Sequence, residues 1–280
     1  MSVSGKARRQ GKILDEIIAY QREHLPRVMR EVPLADLRAL AQVALPPLDF
    51  CAALKRPGVS LIAECKRASP TKGLLVRRYD PVALAQTYIQ AGACAVSVLT
   101  DARHFQGSLK HLRDIKESFS AGGNQKFQMA PLLRKDFIFH PYQAYEARVA
   151  GADAMLLIAA VLGDGELKRL LRLAAQLGMQ ALVEVHTEQE LARVLPLEPP
   201  AIGINNRNLH TFEVDFENTA RLRRLIPDGI VTVGESGLHT AADVRRMRDI
   251  GVDAILVGET LVRSKNVYET TRVLAEAGAP

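Results

Sequence analysis

The apolar runs of this chain end, one after another, in residues able to hold or exchange protons. The run at 60–66 ends Glu64-Cys65-Lys66, the run at 130–135 ends on Lys135 with Asp136 beyond it, and the run at 180–185 carries Glu184. Later runs end Asn205-Asn206-Arg207, Glu235-Ser236-Gly237 and Gly258-Glu259. Any one of these charges alone reads as a solvated rim. Together they point to chemistry, because an unpaired Lys or Glu in apolar surroundings costs several kcal/mol and its pKa moves toward neutrality. Two lysines facing two carboxylates form a set from which a general acid and a general base can be drawn. Alternate residues of a strand share a face, so Glu64 and Lys66 point with Ile62 one way and Cys65 the other. Cys65 then reads as a small core residue.

Gly237 and Gly258 each follow an apolar run directly and precede a helical segment. Backbone N–H groups at such a junction, with a helix N-terminus behind them, bind phosphate, and glycine lets the backbone come close. The expectation is a phosphorylated small-molecule substrate. No metal site is expected: the histidines lack H-x-x-x-H spacing, and the three cysteines include no C-x-x-C pair. His186, two residues after Glu184, reads as a supporting or solvent-facing residue.

These residues need a scaffold that brings many strand ends to one place. Apolar runs at 60–66, 94–100, 130–135, 154–160, 180–185, 201–205, 230–236 and 254–259 alternate with segments of helical period at 81–91, 109–119, 166–177, 188–194 and 241–249. Such alternation implies parallel strands joined by right-handed crossovers. Eight units of roughly 20 to 35 residues fit a single (β/α)8 TIM barrel of the α/β class, whose catalytic groups sit at the C-terminal strand ends. An open doubly wound sheet usually carries G-x-G-x-x-G after its first strand, where this chain reads KRASPTKG. Ahead of the barrel, Ile13, Leu14, Ile17 and Ile18 form the stripe of one buried helix face. A second, short helix at 38–44 stops before Pro46-Pro47. Residues 1–59 therefore read as an N-terminal helical extension packed on the barrel, and residues 1–280 as one domain.

Hydrophobic residues make up 48% and charged residues 24%, the ordinary globular mix, which excludes collagen, coiled coil and disorder. Lys and Arg number 37 against 31 Asp and Glu, a net charge of +6. These cations are spread along the chain and lack interleaved aromatics, which argues against nucleic acid and for a mouth that draws in small anions. No apolar run approaches the roughly 20 residues that cross a bilayer. No short apolar segment follows the basic start, so neither a membrane partner nor export is expected. Without a disulfide framework, the expected compartment is reducing: the cytoplasm.

The stretches ILDEIIAYQRE, LIAECKRASPTKG, LLRKDFI, LVEVH, GINNRNL, VGESG and ILVGETLV occur in this order over most of the chain. They resemble the indole-3-glycerol phosphate synthase family of tryptophan biosynthesis. The combination of E-x-K-R-x-S-P, R-K-D-F and N-N-R-N-L is specific, and the family's helical extension matches the residues before the first strand. Thr71 stands where the family often has Ser, and Val262 where Met is frequent; neither touches a catalytic position.

The resemblance implies a carboxy-lyase acting on 1-(2-carboxyphenylamino)-1-deoxyribulose 5-phosphate, which closes the indole ring and releases CO2 and water without cofactor or metal. It implies Lys135 as the general acid, Glu184 as the base-side carboxylate with Asn205 beside it, and Lys66 on the substrate carboxylate, assisting dehydration with Glu64. Ser69, Arg207, Glu235 and Ser236 are implied around the substrate, and Gly237, Gly258 and Glu259 at its phosphate. Phe105, Phe137 and Leu209 are implied as apolar walls. Monomer and weak homo-oligomer both stay open, as does contact with other enzymes of the tryptophan pathway. The nearest competing barrel, an isomerase of a phosphoribosyl compound, relies on a Cys/Asp or Asp/Asp pair, whereas here Cys65 is turned away.

Overall fold

Strands buried on both faces read as unbroken apolar runs, and the barrel strands of this chain are of that kind. The computed structural model describes residues 3–121, 129–207 and 214–280. Helices α1 (Val3–Glu31), α2 (Leu34–Val43) and α3 (Phe50–Leu54) precede strand β1 (Ser60–Cys65). The loop after β1 folds into a small antiparallel ladder of β2 (Ala68–Ser69) and β3 (Gly73–Leu74). Then come α4 (Pro81–Gln90), β4 (Ala95–Leu99), α5 (Ala102–Phe105), α6 (Leu109–Ala121), β5 (Leu132–Lys135), α7 (Pro141–Val149), β6 (Ala154–Ile158) and α8 (Asp164–Gln176). The second half begins with β7 (Gln180–Val185), α9 (Glu188–Val194), β8 (Ala201–Asn205), α10 (Phe216–Arg223) and β9 (Val231–Glu235). It ends with α11 (Ala241–Ile250), β10 (Ala254–Val257), α12 (Glu259–Val262) and α13 (Val267–Ala277).

All strands except the β2–β3 ladder pair in parallel, and β10 closes on β1 to complete a (β/α)8 barrel. Ile62, Leu133, Leu182 and Val233 fill its interior, while Leu61, Ala63, Val96, Leu132 and Val183 pack outward under the helices. Cys65 belongs to the outer set, its thiol 3.9 Å from the Pro81 carbonyl. The helix α3, too short to show a period in the sequence, plugs the N-terminal end with Phe50 and Leu54, both fully buried in the interior cluster. The Asp49 side chain caps it by accepting from the Ala52 N–H. The helix α2 starts at Leu34, directly after Pro33, ahead of the 38–44 span that the sequence pattern marks. Among the described residues, no helix is long and apolar enough to cross a membrane.

The stripe of α1 does not lie on the barrel wall. Ile13, Leu14 and Ile17 border the open C-terminal mouth instead. One turn further on, the Gln21 side-chain amide donates to Asp101 Oδ2 and to Asp136 Oδ1, each at 3.0 Å, just past β4 and β5. At the far end of the helix, the Tyr142 hydroxyl donates to the Val32 carbonyl at 2.8 Å. Helix α1 is thus tied across the site end of the barrel, while α3 closes the opposite end.

Candidate active site

Two residues beyond Ile62, Leu133, Leu182 and Val233 on the same strands stand Glu64, Lys135, Glu184 and Glu235. In such barrels, alternate strands contribute the four side chains of one interior layer. The layer nearest the mouth is therefore a ring of charges where branched apolar residues would otherwise sit. Lys135 Nζ lies 2.5 Å from Glu235 Oε2 and 3.3 Å from Glu184 Oε2. Lys66, one residue past β1, sets its Nζ 2.9 Å from Glu64 Oε1. The three carboxylates are buried, while the two lysines keep part of their surface open to the cavity.

Lys135, Glu184 and Glu235 stand close enough for the charge of each to bias the others. Burial disfavours the charge on Lys135, but Glu235, Glu184 and Glu64 outweigh it and hold the amine well above its usual range. Burial also opposes ionisation of Glu184, yet Lys135, His186 and Asn205 hold its carboxyl well below the usual carboxylate range. Glu235 is pushed up to about 7, first by burial and then by Glu184, against the pull of Lys135. Its Oε1 is buried with no hydrogen-bond partner among the described residues. The arrangement holds a cationic amine, an anionic carboxylate and a carboxyl poised near neutrality within reach of one reacting centre.

Two glycines make room for these carboxylates. A Cβ at Gly258 would overlap Glu64 Oε1, and a Cβ at Gly203 would overlap Glu235 Oε1. Gly237 is different: its φ of +81° follows Ser236 at +68°, so the chain leaves β9 through two left-handed residues, and a Cβ there would meet Val214. Sequence reasoning assigns Gly237 and Gly258 to phosphate alone. The packing adds a structural demand at both, and Gly203 was not singled out although a glycine inside a strand marks a close approach.

One cavity of about 240 Å³ at the mouth is bordered by all of the ring residues together with Lys66, Ser69 and Asn205. Arg207, Ser236, Gly237, Gly258 and Glu259 border it at the ends of β8, β9 and β10. The Asn205 side-chain oxygen accepts from the Arg207 N–H at 3.0 Å. Opposite them, the rings of Phe105 and Phe137 stand 6.3 Å apart, with Lys66 Nζ 5.8 Å from the Phe105 ring centre. Asp101 accepts from the Phe105 N–H at 3.2 Å and Asp136 from the Phe137 N–H at 2.9 Å. Gln21 joins these same two aspartates, so one amide on α1 braces both aromatic walls. Leu209 lies outside the described residues. The sequence reading missed the roof supplied by Ile13, Leu14 and Ile17, since an apolar stripe declares burial and not the surface it meets. Of the two places the sequence left open for His186, supporting or solvent-facing, the structure gives the supporting one: the side chain is largely buried, with Nε2 3.2 Å from Glu184 Oε1.

The family model described as indole-3-glycerol phosphate synthase matches residues 14–274. An indole-3-glycerol phosphate synthase of Roseiflexus sp. (strain RS-1) is 50% identical over 266 residues, covering 94% of this chain and 97% of that protein. One of Dehalococcoides mccartyi (strain CBDB1) is 47% identical over 263 residues, covering 94% of this chain and 99% of its own. Distant solved structures share the fold alone. Thiamine phosphate pyrophosphorylase from Pyrococcus furiosus aligns with a TM-score of 0.59 at 14% identity, over 82% of this chain and 97% of that one. A 3-hexulose-6-phosphate synthase from Salmonella typhimurium aligns with a TM-score of 0.57 at 11% identity, over 78% of this chain and 98% of its own. With a family model spanning nearly its whole length and relatives at about half identity, the chain belongs to the indole-3-glycerol phosphate synthase family.

Proposed function

We propose that this chain converts 1-(2-carboxyphenylamino)-1-deoxyribulose 5-phosphate into indole-3-glycerol phosphate, CO2 and water by general acid–base catalysis. The observation that carries the reading is Lys135 bridging Glu184 and Glu235 beneath two aromatic walls. Ring closure joins the aryl carbon bearing the carboxylate to the ketose carbonyl carbon, pushed by the amine nitrogen. Lys135, kept protonated by its carboxylate neighbours, gives a proton to the ketose oxygen as that bond forms. The carboxylate leaves as CO2, and the electron pair it leaves behind restores aromaticity. The new hydroxyl then takes a proton from Lys66 and departs as water while the adjacent methylene carbon loses a proton to Glu184. Each movement of electrons is driven by the amine and each proton by a Lys or Glu, so no step calls for a metal or cofactor.

Lys66, lying against Phe105, is suited to hold the aryl carboxylate and, with Glu64, to assist the dehydration. Asn205 stands beside Glu184 at the end of the next strand, Arg207 borders the cavity just beyond it, and Ser69 closes the side of the first loop. Phe105 and Phe137 enclose the aromatic ring, and the family resemblance adds Leu209 as a further apolar wall. Backbone N–H groups of Ser236, Gly237, Gly258 and Glu259 suit the phosphate at the opposite side. The same reading takes residues 1–280 as one working domain with 1–59 as its packed extension, acting in the cytoplasm as a monomer or weak homo-oligomer.

The chain contains no tryptophan, so an indole product would fluoresce against an almost dark protein background. Incubation with the authentic substrate should give indole fluorescence that rises with time, depends on Lys135 and Glu184, and survives excess EDTA. No fluorescence from the folded protein overturns the reading. Activity lost on chelation and restored by a divalent ion would overturn the metal-free chemistry while leaving the reaction.

A further inference from the structure

His186 stands one residue past β7, with both ring nitrogens within ion-pair distance of carboxylates: Nδ1 hydrogen-bonds Glu190, while the buried Nε2 lies near Glu184 off the hydrogen-bond direction. Nε2 lies 3.2 Å from Glu184 Oε1, and Nδ1 lies 3.3 Å from Glu190 Oε2. The same Glu190 oxygen accepts the His186 backbone N–H at 2.6 Å. Thr187 caps α9 by accepting from the Glu190 N–H, which turns that side chain back toward the histidine. From α10, Asn218 donates to the His186 carbonyl at 3.1 Å and is itself held by Arg221 at 2.8 Å. The ring is therefore met from β7 and α9, while α10 holds the backbone behind it.

A neutral imidazole carries hydrogen on one nitrogen and a lone pair on the other. With a carboxylate at each nitrogen, the neutral ring would turn a lone pair toward an anion, whereas the doubly protonated ring faces both favourably. We propose that His186 is a positioning residue for the reaction: an imidazolium clamped between Glu190 and Glu184 that keeps Glu184 ionised and turned so that its other oxygen meets Lys135. The inference rests on Glu184 acting as the base. The charged groups around the clamp are Glu184 and Glu190 at the ring itself, with Lys135 of β5 and Glu235 of β9 beyond Glu184. Burial pulls the imidazole down, but Glu184 and Glu190 outweigh it and push it up to about 9. His186 is thus the second cation on Glu184. Without it, Glu184 and Glu235 would share Lys135 alone and compete for one proton.

The test compares His186→Asn, which keeps a donor without charge, and His186→Phe, which keeps neither, with Glu190→Gln, which removes only the outer carboxylate. A nearby opposite charge lowers a carboxyl pKa by about 1–3 units, so the acid limb of kcat should move upward by about one pH unit or more in both His186 variants. KM should stay close to wild type. In Glu190→Gln the histidine loses its proton at lower pH, so activity should fall on the alkaline side before wild type does. Nitrogen-15 NMR of the wild-type ring should show both nitrogens protonated at neutral pH. A neutral tautomer at that pH overturns the proposal. So does an unchanged acid limb in His186→Asn, whatever the loss in kcat. If the His186 variants do not fold, Glu190→Gln and the NMR signal decide. Full turnover by Glu184→Gln would instead remove the base assignment, while the wild-type NMR signal still decides whether the ring is an imidazolium.

Discussion

Glu64 occupies the space that a side chain on Gly258 would need. The two residues sit on β1 and just past β10, the strands whose pairing closes the barrel. With φ at −125° Gly258 is not in the left-handed region, and the space its missing side chain leaves is filled by Glu64. Gly258→Ala should push the Glu64 carboxylate aside, loosen its pair with Lys66, and lower kcat by on the order of 10²-fold, since displacements of about 1 Å cost that much. Steady-state kinetics separate the outcomes: a rise in KM with kcat intact would mean that the glycine serves the ligand alone.

Lys135→Met removes the proton donor and leaves the strand-end glycines in place. Turnover should fall by about 10²- to 10⁴-fold, the range of general acid–base catalysis, while substrate binding measured by calorimetry persists. A loss below about tenfold would be incompatible with Lys135 as the acid.

Glu235 is held near neutrality, at about 7, by burial and by Glu184. Below that pH it is uncharged; above it, it adds a negative charge to a site that binds an anionic substrate. The kcat/KM profile, which reports ionisations of the free enzyme, should fall as pH rises through about 7. Glu235→Gln should abolish that inflection. Persistence of the inflection in the variant would assign it to another group.

Gln21 tests the role of the extension, because its amide bonds Asp101 and Asp136, which in turn hold the N–H groups of Phe105 and Phe137. Hydrogen bonds to charged groups contribute about 1.5–3 kcal/mol each. Gln21→Ala should raise KM about tenfold or more with a smaller change in kcat, because the aromatic walls loosen while the charged ring beneath is untouched. Equal losses in kcat would place the effect at the reacting centre and contradict this division.

The barrel and most of the cavity border are legible in the sequence for one reason. Parallel strands all end at the same side, and alternate residues share a face, so the last inward residue of each apolar run must meet the others at the mouth. Glu64, Lys135, Glu184 and Glu235 can be picked out this way without coordinates. Helices α7 and α10 are less legible, since their apolar periodicity is weak, although each is capped by a side chain at its start.

Three relationships exist only in the folded chain. Gly258 and Gly203 are empty because Glu64 and Glu235 lean over them from neighbouring strands. The ring of His186 is charged or neutral according to two carboxylates, one of which reaches it from the first turn of α9. The apolar stripe of α1 covers the mouth rather than the wall because Gln21 finds Asp101 and Asp136, 80 and 115 positions further along the chain. Local patterns state which faces must leave water. Burial energy is non-directional, so which surface receives each face, and how far a pKa moves there, depends on distances that only tertiary packing sets.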